Sequence, residues 1–212
     1  MKKITRKIVA AMSAAVLSAV PMINSFSANA AVTKYKTYVL YSVANNPNIA
    51  YFDFKLNYTT SITAEESEST SLCKNGYFRS SDNGQRVLNT YNGPTIGATG
   101  NLCSTKFIVP MDTESIYDVV SRSNVTIRNA NGVTLAPTSI YMEEVLLGDV
   151  DLNGVVNDND AELIMKAIAN PDDYPLSKKQ VDAADVYDRG GGLTGMDALT
   201  IQEYVQGQIN HF

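Results

Sequence analysis

Tryptophan is absent from this sequence of 212 residues, and histidine occurs once, as His211. Serine–histidine nucleophiles and histidine-ligated metals therefore lack a suitable residue, because we expect a histidine beside the last residue to be exposed. The lack of tryptophan removes the aromatic side chain with the largest surface for stacking on a sugar ring. The first absence argues against an enzyme, and the second weakens a carbohydrate-binding role without excluding it.

Long apolar runs are also missing, except near the N-terminus. An apolar run over 8–23 follows four basic residues, and Ala28-Asn29-Ala30 supplies the small residues of a cleavage site. This pattern predicts a secretory signal peptide, removed after Ala30. A membrane anchor is the alternative, but two serines and Pro21 interrupt a run shorter than the roughly 20 apolar residues that a spanning helix needs. We therefore expect an exported, extracellular protein with a signal peptide over 1–30 and no membrane span.

Cysteine is scarce, with Cys73 and Cys103 the two in the sequence. In an exported protein, a single disulfide between them is the expected pairing. Closing a loop of this length would stabilise the fold by roughly 3 kcal/mol. Two buried free thiols are the alternative.

Charge is unevenly distributed along the chain. Residues 31–142 hold eight acidic and nine basic side chains, whereas residues 143–212 hold fourteen and four. The net charge is therefore +1 in the first segment and −10 in the second. We predict two units with different roles. The second unit is too acidic for nucleic acid, whose phosphates need a basic surface.

The first unit, 31–145, has the pattern of antiparallel strands. In YFDFKLNY, residues 51–58, apolar and polar side chains alternate as in a strand with one buried face. Further strands are predicted at 37–43, 104–110, 124–129 and 138–147, with Asn-, Gly- and Pro-rich turns between them and a helical turn near 115–120. Many short strands with such turns predict a mostly β unit, an antiparallel β-sandwich.

An acidic loop opens the second unit. Counted from Asp149, oxygen-bearing side chains stand at positions 1, 3, 5, 9 and 12, Gly154 is sixth, and the seventh residue can offer its carbonyl oxygen. This is the ligand order of an EF-hand, in which a hard cation is wrapped by six or more oxygens. An EF-hand usually has a longer glutamate at position 12. The candidate ligands of this first loop are Asp149, Asp151, Asn153, Val155, Asn157 and Asp160.

A second copy of the loop and its helix follows. Asp160-Ala161, Ile164 and Ile168 match Asp197-Ala198, Ile201 and Val205 at one offset, which indicates an internal repeat. The loop before the second helix carries one extra residue, and its glycine run can adopt the backbone angles of an expanded loop. We predict two Ca²⁺ ions, with Asp185, Asp188, Thr194 and Asp197 as the candidate ligands of the second loop.

These tandem loop–helix repeats, with aspartate at position 12 and no leading helix, resemble a dockerin, and the Gly-rich second loop is similar to dockerins of the Ruminococcus type. The resemblance covers 146–210 and implies a small all-α module with two F-hand loops. It further implies Ca²⁺-dependent docking onto a cohesin domain of a scaffoldin in a cellulosome, at the cell surface. The residues that it places against the cohesin are Asp158, Asn159, Lys166, Gly195, Met196, Gln202 and Gln206.

The first unit carries a second resemblance. The segment from Asn45 to Tyr58 and the strands at 104–110 and 124–129 are similar to parts of cohesin domains, which share a jelly-roll sandwich with some carbohydrate-binding modules. A cohesin-like unit would make the protein an adaptor that accepts another dockerin. A carbohydrate-binding module for plant polysaccharide is the alternative, with Tyr77, Phe78 and Tyr91 as stacking residues in loops. An unknown partner is a third possibility.

Catalysis is not expected. A glycosidase needs two carboxylates flanking a cleft, and a unit of this size has little room for one. The acidic side chains of the first unit are Asp53, Glu65, Glu66, Glu68, Asp82, Asp112, Glu114 and Asp118. A small polysaccharide-acting enzyme is therefore the weakest of the functions considered.

Overall fold

The structure is a computed structural model, and it describes residues 32–212, which form one compact unit. The predicted signal peptide lies outside these described residues. Within residues 32–212, nine strands are followed by three α-helices. The strands are β1 Tyr35–Ala44, β2 Tyr51–Tyr58, β3 Thr63–Ala64, β4 Glu68–Ser69, β5 Tyr77–Asp82, β6 Arg86–Asn92, β7 Gly100–Pro110, β8 Val120–Arg128 and β9 Ile140–Leu146. The helices are α1 Asp158–Ala169, α2 Lys178–Ala184 and α3 Gly195–Val205.

The strands form two antiparallel sheets packed face to face. One sheet has the order β5-β6-β2-β8, and the other has the order β3-β7-β1-β9, with β4 also paired to β7. Every strand pair is antiparallel. The prediction of a mostly β, antiparallel unit is confirmed, and the predicted strand over 51–58 is β2 itself. Three short helices follow the sheets, as a smaller α-helical part.

The core between the sheets follows from alternation along the strands. In β2, Phe52, Phe54 and Leu56 are fully buried, whereas the residues between them are partly exposed. The Phe52 ring stacks on Phe54 and on Tyr91, with ring centroids 5.6 and 5.5 Å apart. Burying large side chains of this kind contributes about 1.5–3 kcal/mol each. Phe52, Phe54 and Tyr91 therefore pack the inner face of the β5-β6-β2-β8 sheet. Across the core, Tyr58 of this sheet meets Phe107 of β7, with ring centroids 5.8 Å apart.

β1 is buried on both faces. Tyr38 and Leu40 point into the core between the sheets, whereas Val39, Tyr41 and Val43 form a second apolar cluster on the outer side. Ala183 of α2 and the side chains of Val186 and Phe212 complete that second cluster. The α-helical part therefore packs on the outer face of the β1–β9 sheet.

The end of the chain is fastened to the start of β1 by hydrogen bonds. The Tyr35 amide donates to the carbonyl oxygen of Asn210 at 2.8 Å, and the Phe212 amide donates to the hydroxyl of Thr37 at 3.2 Å. The Phe212 ring lies 4.6 Å from the Tyr204 ring, between centroids. The predicted boundary at 145/146 falls at the end of β9, and the outer apolar cluster of β1 includes Val145 and Leu147 from its two sides.

Two features differ from the predicted elements. From the sequence, Tyr77, Phe78 and Tyr91 are expected in loops, but residues 77–92 form the hairpin β5–β6. Its inward positions include the polar residues Ser80 and Asn89, which interrupt the alternation. α2 was not predicted, because it has seven residues and starts at a serine cap, Ser177, inside a polar segment. The predicted helical turn is a 3₁₀ helix over Ile116–Asp118.

The two cysteines are buried free thiols in the structure, so the predicted disulfide is not present. Cys73 and Cys103 both belong to the core cluster between the sheets. Burial raises the pKa of each thiol to about 12, because a thiolate is poorly solvated there. The core therefore keeps both side chains in the neutral, unreactive form.

Asn89 is an exception to the apolar core. It lies on β6 opposite Phe54 and Ser80, with its side chain fully buried. Among the residues that the structure describes, neither its amide nitrogen nor its amide oxygen has a hydrogen-bond partner. Leaving such a group without a partner costs roughly 1–3 kcal/mol.

Among residues 32–212, none of the helices has the length and apolar composition that crossing a bilayer requires.

Candidate metal centre

The first loop gathers three carboxylates at one point. One oxygen from each of Asp149, Asp151 and Asp160 lies within 4.8 Å of the others, and in the described part of the chain this is the one such group of acidic side chains. Asp149 and Asp160 are buried, whereas Asp151 is exposed. Three converging carboxylates repel one another unless a cation lies between them. Their geometry fits a hard, oxygen-bound cation such as Ca²⁺.

The backbone of the first loop is folded around these carboxylates. One oxygen of Asp160 accepts hydrogen bonds from the amides of Val150 and Asp151, at 2.7 and 3.1 Å, and the other accepts from Asn157 at 2.8 Å. Asp149 accepts from the amides of Asn153 and Gly154, both at 2.9 Å. Asp160 therefore ties the beginning of the loop to the start of α1.

Burial raises the pKa of both Asp149 and Asp160. In each case the largest cause is desolvation, and the hydrogen bonds from the backbone amides counteract it in part. A bound divalent cation would favour the ionised form of both side chains. The two aspartates are therefore placed where a bound cation would offset the cost of burying their charge.

The remaining predicted ligands of the first loop line its rim. The Asn153 side chain donates to Asp151 at 2.8 Å and accepts from the Val155 amide at 2.8 Å. The Asn157 side chain caps α1 by accepting from the Asn159 amide at 2.9 Å, and it donates to the Val155 carbonyl oxygen at 3.3 Å. The side-chain oxygens of Asn153 and Asn157 thus lie at the edge of the loop, whereas the Val155 side chain is exposed.

The second loop repeats the hydrogen bonds of the first. One oxygen of Asp197 accepts from the amides of Val186 and Tyr187, at 3.0 and 2.9 Å, and the other accepts from Thr194 at 2.8 Å. Asp185 accepts from the Gly190 amide at 2.8 Å. Each bond has its counterpart in the first loop, so the sequence repeat is also a structural one.

Backbone angles repeat in the same register. Gly154 and Gly190 have φ angles of 88° and 94°, in a region that glycine adopts without strain. Leu152 and Asp188, two residues earlier, have φ angles of 62° and 47°. Non-glycine residues in this region are uncommon and concentrate at functional sites.

The second loop lacks two oxygen side chains. Tyr187 and Arg189 stand where Asp151 and Asn153 stand in the first loop, and Asp188 takes the place of Leu152. The carboxylates of Asp185, Asp188 and Asp197 are not brought into one group like that of the first loop, as far as the described residues show. However, one oxygen of Asp185 is buried without a hydrogen-bond partner among them, which suits a cation ligand. The donor set fits a cation, with fewer side-chain oxygens than the first loop.

The residues that were predicted to face a cohesin are all exposed. Met196, at the start of α3, is 43% exposed, and Met165, on α1, is 50% exposed. The Met165 sulfur lies 4.0 Å from the position that a Cβ atom on Gly195 would occupy. The exposed sides of α1 and α3 therefore adjoin at Met165 and Gly195. The predicted contact residues, all exposed on these helices or at their ends, are Asp158, Asn159, Lys166, Gly195, Met196, Gln202 and Gln206.

No protein-family model matches this sequence, and no curated protein matches it significantly. Two solved structures have similar chains. One is a non-cellulosomal cohesin from the hyperthermophilic archaeon Archaeoglobus fulgidus, 15% identical, with a TM-score of 0.40 over 49% of this chain and 75% of that chain. The other is a structure of R. flavefaciens' third ScaB cohesin in complex with a group 1 dockerin. Its matched chain is 32% identical, with a TM-score of 0.28 over 30% of this chain and 90% of that chain. Because both TM-scores are below 0.5, we base the proposed function on the loop and sheet geometry.

The three aromatic residues considered for sugar stacking are in different environments. Tyr77 is 65% exposed, Phe78 packs against the core, and Tyr91 is buried with its hydroxyl donating to the Pro94 carbonyl oxygen at 3.0 Å. Tyr77 is thus the one of the three that is free to stack on a ligand. Tyr51, which lies in the same cross-strand row, is covered in part by the Arg128 guanidinium at 5.4 Å.

The outer face of the β5-β6-β2-β8 sheet is rich in basic side chains. Lys55, Arg79, Arg86 and Arg128 lie on this face, whereas Asp53 is its one acidic side chain among the paired positions of these strands. Three acidic residues, Asp112, Glu114 and Asp118, lie elsewhere, along an open cleft of about 460 Å³. The Asp118 carboxylate accepts from the Ser115 amide at 3.2 Å, so it has a structural role in capping a 3₁₀ helix.

Proposed function

We propose that this protein is a secreted, non-catalytic adaptor of a cellulosome-type complex, with a Ca²⁺-dependent dockerin at residues 146–210. The observation that carries this proposal is the repeat of the loop itself. Asp160 and Asp197 each accept three backbone hydrogen bonds in the same pattern, around a site where aspartate oxygens point inward. A solvated acidic turn would not need this repeated geometry.

In the proposed state, two Ca²⁺ ions hold the loops. Asp149, Asp151 and Asp160 bind the first ion, together with oxygens of Asn153, Val155 and Asn157. Asp185, Asp188, Thr194 and Asp197 supply the protein oxygens of the second site. A bound ion neutralises the carboxylates and fixes the loop at the N-terminal end of each helix. The ions thereby hold α1 and α3 in the arrangement that a partner recognises.

The proposed partner is a cohesin domain of a scaffoldin. It would bind the joint surface of α1 and α3, where exposed methionines adjoin polar residues. Such a mixture of an apolar centre and a polar rim is typical of protein–protein interfaces. Through this contact the protein would belong to a complex that degrades plant polysaccharide outside the cell.

The experiment is a binding measurement of the full chain against immobilised cohesins, in Ca²⁺ and in EDTA. Binding in Ca²⁺ that is lost in EDTA and regained on adding Ca²⁺ supports the proposal. Met196→Asp should weaken it, because the change puts a charge into the apolar centre. Val133→Asp, at an exposed apolar side chain of the sandwich, is the matched control. Failure of every cohesin to bind, together with no Ca²⁺ uptake, would refute the dockerin assignment.

The sandwich is proposed to act as an adaptor module. The outer face of its β5-β6-β2-β8 sheet is basic and is well placed to receive an acidic dockerin of another protein. Charge complementarity of this kind favours fast and specific association. The other sheet is unsuited to binding a dockerin, because the chain's own α-helical part covers the outer face of β1 and β9.

Binding of plant polysaccharide is the second candidate for the sandwich, and the exposure of Tyr77 favours it. Adding a panel of dockerins and insoluble glycans to the full chain distinguishes the two. Arg79→Glu should weaken dockerin binding, whereas Tyr77→Ala should weaken retention on a glycan. A chain that binds neither would leave the sandwich as a support for the dockerin.

A further inference from the structure

Arg189 stands at the fifth position of the second loop, where a calcium loop has an oxygen ligand. Its counterpart in the first loop is Asn153, whose side chain turns inward and bonds to Asp151. A guanidinium turned inward in the same way would place a positive charge beside Asp185 and Asp188. It would then compete directly with a cation for the same carboxylates.

In the structure the Arg189 side chain turns away from the loop and onto the sandwich. Its Nη2 donates to the hydroxyl oxygen of Tyr41 at 2.5 Å, and its guanidinium carbon lies 5.9 Å from the centre of the Tyr41 ring. A guanidinium at this distance from a ring gains a cation–π attraction in addition to the hydrogen bond. The sandwich therefore binds the Arg189 side chain through both a hydrogen bond and a cation–π contact.

The position of the Tyr41 side chain is fixed by burial. It is 8% exposed and belongs to the outer apolar cluster of β1, with Val39 and Val43. A second cation, the Lys178 ammonium of α2, lies 5.5 Å from the centre of the same ring. Tyr41 thus contacts both the helix that precedes the second loop and the loop itself.

The loop that Arg189 leaves still has a free acceptor. One oxygen of Asp185 is buried with no hydrogen-bond partner among the described residues, although Arg189 is only four positions further along the chain. A buried carboxylate oxygen without a partner is costly, and an inward arginine would satisfy it. The contact with Tyr41 keeps this oxygen available for a metal ion.

We propose that Tyr41 is a positioning residue that sets the Ca²⁺ affinity of the second loop by holding Arg189 outside it. The inference rests on the proposed function, because it takes the second loop to be a Ca²⁺ site. It goes beyond that function in coupling the sandwich to one of the two ions. The first loop has Asn153 in place of arginine, so its affinity is independent of Tyr41.

The test is a Ca²⁺ titration of the full chain followed by NMR, with the amide signals of Gly154 and Gly190 reporting on the two loops separately. Tyr41→Phe removes the hydroxyl acceptor. In this variant the Ca²⁺ concentration at the midpoint of the Gly190 signal change should rise about fivefold, as expected for the loss of one hydrogen bond. The Gly154 midpoint should not change. In an Arg189→Gln background, the same Tyr41→Phe change should leave both midpoints within about twofold.

Tyr38→Phe is the matched control. It removes a tyrosine hydroxyl from the same strand, one that donates to the Glu114 carbonyl oxygen within the sandwich. The inference is overturned if Tyr41→Phe leaves the Gly190 midpoint unchanged, weakens both loops alike, or acts equally in the Arg189→Gln background. The inference is also overturned if, in the wild-type chain, Ca²⁺ shifts the amide signal of Gly154 but not that of Gly190. That result would still support the proposed first Ca²⁺ site. If neither glycine responds, the proposed function itself fails.

Discussion

The hydroxyl of Tyr204 donates a 2.8 Å hydrogen bond to the carbonyl oxygen of Tyr35, which joins the last helix to the first strand. The Lys34 ammonium adds a 2.7 Å hydrogen bond to the Val205 carbonyl oxygen, near the end of the same helix. These bonds hold the α-helical part on the sandwich, and the residues proposed to face a cohesin remain exposed.

Tyr204→Phe should lower the free energy of unfolding by about 1 kcal/mol, because the Tyr35 carbonyl oxygen loses its side-chain donor. Urea denaturation in saturating Ca²⁺, followed by circular dichroism, measures the change. Tyr174→Phe, at a tyrosine that is 40% exposed, serves as the control and should have no effect. Equal stability of Tyr204→Phe and the wild type would show that this contact does not support the junction.

Removal of Ca²⁺ should unfold the α-helical part. Without the ions, the clustered carboxylates repel one another, and the short helices bury little apolar surface. At a Ca²⁺ concentration a thousand times the dissociation constant, the ion adds about 4 kcal/mol to stability. Thermal unfolding followed at 222 nm, with EDTA and with Ca²⁺, tests this expectation. A melting curve that EDTA leaves in place contradicts it.

Asp160→Ala should destabilise the chain by about 3 kcal/mol in saturating Ca²⁺, because three backbone amides lose their acceptor. Asp197→Ala should act similarly, since Asp197 makes the matching bonds. Urea denaturation of both variants gives the values. Asp158→Ala is the control, as this exposed aspartate lies two residues from Asp160 without bonding to the loop. A control as unstable as the variants would assign the effect to general loss of acidic charge.

Asn89→Leu should stabilise the chain by about 1 kcal/mol, because it replaces a buried amide that has no partner with an apolar side chain of similar size. The melting temperature in Ca²⁺ is the measurement. Asn92→Leu lies on the same strand with its side chain exposed, and it should bring no gain. A lower melting temperature for Asn89→Leu would show that the amide is solvated or bonded in solution.

Cys73 and Cys103 should not react with a thiol reagent in the native protein at pH 8. Their pKa values of about 12 keep them protonated, and both are buried. On unfolding without a reductant, the reagent should detect two thiols per chain. Detection of none after unfolding would show that the cysteines are bridged, as the sequence alone suggests.

Sequence patterns predict the β-rich part well where one face of a strand is buried. Strand β2 alternates because its outer residues face solvent and its inner ones face the core. Strands β5 and β6 do not show this alternation, because Arg79, Ser81 and Asn89 place polar side chains on both faces. The sequence has no periodicity that identifies Asn89 as a core position. It lies in the core because its strand pairs with β2.

Ligand spacing is also readable from sequence, because alternate side chains of a short loop must turn to one point. The three acidic residues of the first loop do converge, whereas the ion remains a prediction. The role of Tyr41 could not be predicted. Its contact with Arg189 joins positions 148 residues apart, and nothing in either local sequence signals the pair. The disulfide prediction followed the expected cell compartment, which does not fix whether two thiols are bridged.

Burial of β1 on both faces affects how the chain can fold. This strand comes first, yet its partners β7, β9 and the segment from Ala183 to Phe212 come much later. Closing such long loops costs conformational entropy before any contact forms, so folding should be slow for a chain of this size. A chain cut after β9 would leave Val39, Tyr41 and Val43 bare, as an apolar patch prone to aggregation. Docking of the segment from Ala183 to Phe212 onto β1, rather than completion of the sandwich, is then the step that covers this patch.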